Sequence, residues 1–295
     1  MTSTFQLDRL VHGYWRLKQW NLTAQQLLQL TEQVIELGIS TFDHAACYGS
    51  FTNEEAFGQA LKLKPSLRQQ IKLITKCGIL FPSQEFPNID SHYYDNSCEH
   101  IVASAERSIK KMHCDYLDVL LIHRLSPCVD PEQVASAFEQ LYDSGKVRYF
   151  GVSNYTPSKF SMLQSYVKQP LITNQIEISA LHLAPFDDGT LDYLMEKRVR
   201  PMAWSPLAGG ELFNKDNPAG VRVRKALLDI GQRVNETHLD TLAFAWLLNH
   251  PAKITPVIGS GELRRIKRAV NALSIRFSEQ EWIEVYKAAQ GFDIP

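Results

Sequence analysis

Short runs of apolar, β-branched and aromatic residues alternate along this chain with longer stretches of helical period. The short runs read as strands near Leu10–Tyr14, Ser40–Asp43, Ile71–Cys77, Leu117–His123, Val147–Ser153, Ile172–Glu177, Arg200–Ser205 and Thr255–Gly259. Several, YLDVLLIH above all, are almost continuously apolar, as parallel strands covered on both faces should be. Between them, Ala24–Leu37 reads as a helix after the N-cap candidate Thr23, closed by Gly38. Pro131–Ser144 follows Asp130 and stops at Gly145, and Pro157–Val167 follows Thr156. Later helices are expected near Leu191–Arg198, Arg222–Val234, Leu239–Asn249, Glu262–Ala272 and Glu279–Gln290.

Strand then helix, repeated about eight times, argues for an α/β chain folded as a closed (β/α)8 barrel. The expectation is a single domain over residues 1–295 with an extra C-terminal helix and long rim loops. The alternative is an open doubly wound sheet, which carries G-x-G-x-x-G after its first strand when it binds a dinucleotide. Here Gly259-Ser260-Gly261 runs on into Glu262, Leu263 and Arg264, so that fingerprint is missing. The stretch Gly78–Ser97 reads as a loop or excursion after the third strand, overhanging the rim.

Composition narrows the field. With 44% hydrophobic and 21% charged residues, the chain looks globular rather than disordered or fibrous. A formal charge of -1 provides no basic surplus, so nucleic acid is not an expected partner. No apolar run is long enough to span a bilayer, and Met1 to Arg9 lacks the pattern of a signal peptide, so a cytoplasmic location without membrane attachment is expected. Cys47, Cys77, Cys98, Cys114 and Cys128 are odd in number and form no C-x-x-C pair, which points to free thiols.

Position within the elements singles out four residues. Asp43, Lys76 and His123 end the second, third and fourth strands, and Tyr48 lies in the loop after the second. Strand C-terminal ends converge on one rim of a barrel, where active sites of this fold sit. Singly, Asp43 reads equally well as a strand-end cap, Tyr48 as a packed aromatic and His123 as a core histidine. Together they supply a phenolic acid, an ammonium beside it, a carboxylate to hold the ammonium and an imidazole. That set can protonate a carbonyl oxygen while a hydride reaches its carbon. A nearby ammonium is expected to lower the phenol's pKa from about 10. A charged Lys76 on the apolar run IKLITKC needs Asp43 as its partner. A metal-dependent hydrolase is a weaker alternative: His12, His44 and His123 lie near strand ends, but no H-x-H pair or matched carboxylate set accompanies them, and no metal is expected.

The segments STFDHAACYGSFTNEEAFGQAL, LITKCG, YLDVLLIHRLSP and KVRYFGVSNYTPSKF resemble, in order and spacing, the signature segments of the aldo-keto reductase family. The resemblance implies a TIM barrel and an NADPH-dependent carbonyl reductase with Asp43, Tyr48, Lys76 and His123 as catalytic tetrad and Tyr48 as proton donor. It implies NADP(H) as cofactor, with Ser153, Asn154 and Gln175 at the nicotinamide amide. Trp204, where many relatives have Tyr, would stack on the ring. Ser205, Pro206, Leu207, Ala208, Gly209 and Gly210 would lie at the pyrophosphate. Gly259, Ser260, Arg264 and Arg265 would lie at the adenosine 2′-phosphate. Arg268 and Ala269 depart from the Glu and Asn that many relatives carry there.

Trp15, with Trp20 beyond it, and Arg124 are candidates for the substrate pocket. Cys47 and Cys77 flank the tetrad, but the sequence shows no partner histidine for a thiolate. A small-molecule carbonyl compound is the expected partner and a monomer the expected state, with an oligomer left open. The alternative within the family is an NADP(H)-binding redox-sensing protein with little turnover. Substrate identity lies in rim loops such as Gly78–Ser97, Leu125–Asp130 and Leu207–Ala219, whose conformations the sequence does not determine.

Overall fold

The computed structural model of this protein describes residues 5–294. Ten strands form among them: β1 (Val11–Gly13), β2 (Thr41–Asp43), β3 (Lys72–Cys77), β4 (Ile79–Leu80), β5 (Tyr93–Tyr94), β6 (Leu117–Ile122), β7 (Val147–Ser153), β8 (Leu171–Glu177), β9 (Met202–Trp204) and β10 (Thr255–Ile258). Eight follow the order β1-β10-β9-β8-β7-β6-β3-β2 of a closed barrel, the (β/α)8 architecture read from the sequence. Their ends fall within about two residues of the expected ones. The signal-peptide reading rests partly on residues 1–4, which lie outside the described residues. No helix among the described residues is long and apolar enough to cross a membrane.

The chain divides into two units. The first holds the described residues up to Asn174 together with Gly259–Gly261, and the second holds Gln175–Ile258 and the residues from Glu262 onward.

In the first unit, β2 pairs in parallel with β1 and β3, and β6 with β3 and β7. The register sets Asp43 opposite Gly13 and Ile74, and Lys76 opposite Leu121. His123 follows β6 directly, and its N–H donates to the Cys77 carbonyl at 2.9 Å. Parallel pairing therefore brings three candidate residues to neighbouring strand ends. The strand starts are latched by acids: Asp8 accepts from the Ser40 N–H at 2.7 Å and pairs with Lys72 at 2.8 Å, and the buried Asp118 pairs with Arg68 at 2.8 Å. The N-caps Thr23, Asp130 and Thr156 each accept a backbone N–H of their helix, as their positions predict.

Three elements of this unit add to the sequence pattern. Leu17–Trp20 is a short helix that holds Trp20 where a loop is expected. Gly78–Ser97 takes the form of an excursion, with β4 and β5 paired antiparallel within it, Ile79 opposite Tyr94. Cys98–Lys111, capped by Ser97, is a full helix whose buried face is Ile101, Ser104, Ala105 and Ser108. Its C-terminal end abuts the helix Asn53–Leu63 at Gly58, where a Cβ would sit 1.9 Å from the Lys111 carbonyl oxygen.

In the second unit, Met202 lies opposite Gln175 and Thr255, and Trp204 opposite Glu177. The helix Leu239–Leu248 is buried on all sides from Asp240 onward. The C-terminal helix Glu279–Gln290 packs on it through Trp282 and Trp246. Their rings stack at 4.7 Å, and each indole N–H donates to the other's backbone carbonyl at 3.0 Å.

Candidate active site

Lys76 is the hub of the first unit's rim. Its buried ammonium donates to both Asp43 carboxylate oxygens and to the His44 carbonyl, each at 2.8 Å, and to the Tyr48 hydroxyl at 3.2 Å. The same ammonium lies 4.9 Å from the Tyr48 ring centre. The His123 ring meets the Tyr48 ring edge-on at 5.9 Å. Asp43 and Lys76 are buried, whereas Tyr48 and His123 are half-buried and keep some surface open. The four residues singled out from the sequence thus come together, with the two open groups side by side and the ion pair behind them.

The electrostatics differ from the sequence expectation in one respect. The Tyr48 phenol is held well above its ordinary pKa rather than lowered, first by burial and then by the Asp43 carboxylate and the Cys47 thiol. The physical reason is that Asp43 largely neutralises Lys76, so burial decides, and burial disfavours the phenolate. Burial lowers the Lys76 pKa, and Asp43 opposes that shift. His123 is held well below the usual histidine range by burial, then by Lys76 and Arg124, so its imidazole is neutral near pH 7. The arrangement is a protonated phenol and a neutral imidazole sharing an opening, with a paired ammonium touching the phenol.

Sequence reading missed several supports. The Cys47 thiol lies 3.6 Å from His123 Nδ1. The partner histidine absent from the local sequence comes from another strand, and only the barrel register brings it there. Burial pushes the Cys47 thiol up to about 11 and the Cys77 thiol up to about 12, so neither is a thiolate at neutral pH. Glu54 lies buried behind β3, accepting from Thr75 at 2.5 Å and from Ser108 at 3.0 Å. Asn96, also buried, donates to the Arg124 carbonyl at 3.2 Å and accepts from the Ser126 N–H at 2.7 Å, tying the β4–β5 excursion to the loop after β6. A lone Asn in a loop carries no sequence signal for such a brace.

The three histidines weighed as metal ligands are otherwise engaged. His12 Nε2 bonds the Ser260 carbonyl at 2.8 Å, His44 stacks on Tyr14 at 4.6 Å, and His123 meets Cys47. Among the described residues, no group of three or more His, Cys, Asp or Glu side chains gathers as a metal-binding set.

The remaining candidates fall as follows. In the first unit, Ser153 ends β7 buried, and Asn154, at φ 62°, donates to Ser153 Oγ at 2.8 Å and to the His123 carbonyl at 3.5 Å. Trp15 is 58% exposed with Arg16 over its ring, and Arg124 is half-buried. Trp20 is half-buried and packs on His12 at 5.7 Å and against Gly261. Gly259 is exposed beside Ser260.

In the second unit, Gln175 is buried in β8 and Trp204 ends β9 half-buried. The chain then turns at Ser205 and runs through Pro206 and Leu207 to Ala208, Gly209 and Gly210. Four of these have positive φ: 48° at Ser205, 52° at Ala208, 65° at Gly209 and 113° at Gly210. Among the described residues nothing lies within 4 Å of where a Cβ would sit on either glycine, and both are exposed. The helix Leu263–Asn271 begins with no side-chain cap, and Arg264 and Arg265 project from its first turn, Arg265 pairing with Glu262 at 3.1 Å. Arg268 pairs with Asp240 at 3.5 Å and Ala269 is buried, so both departures from the relatives' pattern belong to the packing of this helix.

Comparison with known proteins bears on these features. The model of the aldo/keto reductase family matches residues 9–290. An uncharacterized oxidoreductase of Bacillus subtilis, YcsN, is 49% identical across 100% of this chain and 98% of its own. A 6-dehydroglucose reductase of Agrobacterium fabrum is 42% identical across 100% and 98%. A solved aldo/keto reductase from Klebsiella pneumoniae, in complex with NADP and acetate, superposes with a TM-score of 0.77 at 20% identity, covering 98% of this chain and 93% of that one.

Proposed function

The chain belongs to the aldo/keto reductase family, and from that premise we propose that it is an NADP(H)-dependent oxidoreductase reducing an aldehyde or ketone to an alcohol, with Tyr48 as the proton donor. One observation carries the reading: the linked contacts Asp43–Lys76–Tyr48, with Tyr48 and His123 as the half-open members. The carbonyl oxygen would rest between the Tyr48 hydroxyl and the His123 ring. As negative charge builds on that oxygen, the phenol gives up its proton, and Lys76 at 3.2 Å stabilises the phenolate left behind. The raised Tyr48 pKa keeps the acid loaded before the reaction. Neutral His123 orients the oxygen as a hydrogen-bond donor.

Bound NADPH would supply the hydride. In the second unit, Trp204 would stack on the nicotinamide, beside Gln175, and the backbone from Ser205 to Gly210, exposed at Gly209 and Gly210, would approach the pyrophosphate. Arg264 and Arg265, at an uncapped helix N-terminus, suit a phosphate. In the first unit, Ser153 and Asn154 offer polar groups for the carboxamide, and Gly259 and Ser260 would lie by the adenosine phosphate. Trp15 and Arg124 would border the substrate. We read the whole chain as one functional domain.

The 6-dehydroglucose reductase relative makes sugar-derived aldehydes the first compounds to try. The test is NADPH oxidation over a panel of aldehydes, ketones and quinones that includes such sugars. Tyr48→Phe should abolish turnover while NADPH still binds. A variant that keeps most of its activity removes Tyr48 from the role of acid.

A further inference from the structure

We propose that Cys47 is a positioning residue that selects the tautomer of His123: its thiol donates to Nδ1 and so keeps the ring proton on Nε2, the nitrogen left for the substrate oxygen. This rests on the reading of Tyr48 and His123 as the site of carbonyl reduction.

A neutral imidazole has one donor and one acceptor nitrogen, and the bond made by one nitrogen decides the state of the other. Cys47 Sγ at 3.6 Å is the hydrogen-bonding partner of the His123 ring among the described residues. Two assignments are open, S–H to Nδ1 or Nδ1–H to S. The thiol is half-buried and its pKa is pushed up to about 11, so it stays protonated and carries a hydrogen to place. Sulfur is a weak acceptor, whereas an imidazole lone pair is a strong one, which favours S–H to Nδ1.

The backbone on both sides is fixed. The Ala46 N–H donates to the Lys76 carbonyl at 2.9 Å, the His123 N–H donates to the Cys77 carbonyl at 2.9 Å, and the His123 carbonyl accepts from Asn154. The thiol therefore meets the ring from a rigid position. The opposite tautomer would present a lone pair to the carbonyl oxygen and repel it.

The test uses full-length protein with 15N-labelled histidine. Long-range 15N–1H correlation spectra distinguish the two neutral tautomers, with His123 assigned by comparison with His123→Gln. Wild type should show His123 protonated at Nε2 at neutral pH. Cys47→Val keeps similar apolar volume and removes the donor; it should shift His123 toward a tautomer mixture and lower kcat/KM about fivefold, the scale of one lost hydrogen bond, with NADPH binding unchanged. Cys47→Ser keeps a donor and should lose less than Cys47→Val, although it packs worse.

Protonation of wild-type His123 at Nδ1 overturns the proposal. So do unchanged His123 shifts in Cys47→Val, or a serine variant worse than the valine one. Should Cys47→Val fail to fold, the wild-type spectrum still decides the donor assignment. Absence of carbonyl turnover in wild type would sink the reaction reading, while the spectra would still settle the Cys47–His123 bond.

Discussion

Lys76 and Asp43 form a buried ion pair in which one ammonium donates to both carboxylate oxygens at 2.8 Å. Neither side chain is more than 3% exposed, so neither charge has water to fall back on. Removing one partner strands the other, which costs about 3–5 kcal/mol in comparable buried pairs. Asp43→Asn and Lys76→Met should each lower the unfolding free energy obtained from urea titration by that order and abolish carbonyl turnover. The double variant Asp43→Leu/Lys76→Met should recover much of the stability and none of the activity. Recovery of turnover in the double variant would show that the pair is structural only.

Acid should weaken the fold before ordinary carboxylates titrate. Burial lowers His12 to about 4 from the usual 6.5. Between those values the unfolded chain binds a proton that the native chain refuses. Stability is then fully present above about pH 6.5 and falls toward about pH 4, by about 1.4 kcal/mol per pH unit for this residue alone. His44 and His123 are lowered for the same first reason and add in the same direction. His44 sits between the rings of Tyr14 and Phe57, and among the described residues neither ring nitrogen has a hydrogen-bond partner, so His44→Phe should flatten the slope. Urea midpoints from pH 7.5 down to 4.5 would check this; a flat wild-type profile contradicts it.

Asn96 should act on substrate rather than cofactor. Its two bonds to Arg124 and Ser126 hold the loop after His123 against the β4–β5 hairpin. Asn96→Ala leaves the half-buried Ser126 N–H and Arg124 carbonyl without these partners, at about 1 kcal/mol. KM for the best carbonyl compound should rise several-fold while NADPH affinity holds. A variant in which both affinities fall together would point to general unfolding of the rim.

What could be read in the sequence and what could not divide along physical lines. Parallel strands buried on both faces leave unbroken apolar runs, so β6 and its terminal His123 were legible. Caps such as Thr23 and Asp130 sit next to the helices they serve and were legible too. The helix Cys98–Lys111 was missed although Ile101 and Ala105 share its buried face with Ser104 and Ser108 and Ser97 caps it. The tetrad could be named from strand ends, yet Cys47 against His123 and Asn96 against Arg124 depend on register across strands and loops. The sign of the Tyr48 shift also needed the structure, since it turns on how far Asp43 cancels Lys76.

Arg265 should separate NADPH from NADH. It lies on the first turn of a helix with no side-chain cap, and among the described residues its ionic contact is Glu262 at 3.1 Å. A guanidinium on a phosphate makes charge-assisted hydrogen bonds, each worth about 1.5–3 kcal/mol. Arg265→Gln should therefore weaken NADPH binding by about tenfold or more and leave NADH, which lacks the 2′-phosphate, nearly unchanged. Glu262 competes for the same cation, so Glu262→Gln should tighten NADPH modestly, and raising salt should shrink both effects because these groups are exposed. Fluorescence titration with the two nucleotides measures all three. Equal losses for NADPH and NADH in Arg265→Gln would move the phosphate contact elsewhere on the chain.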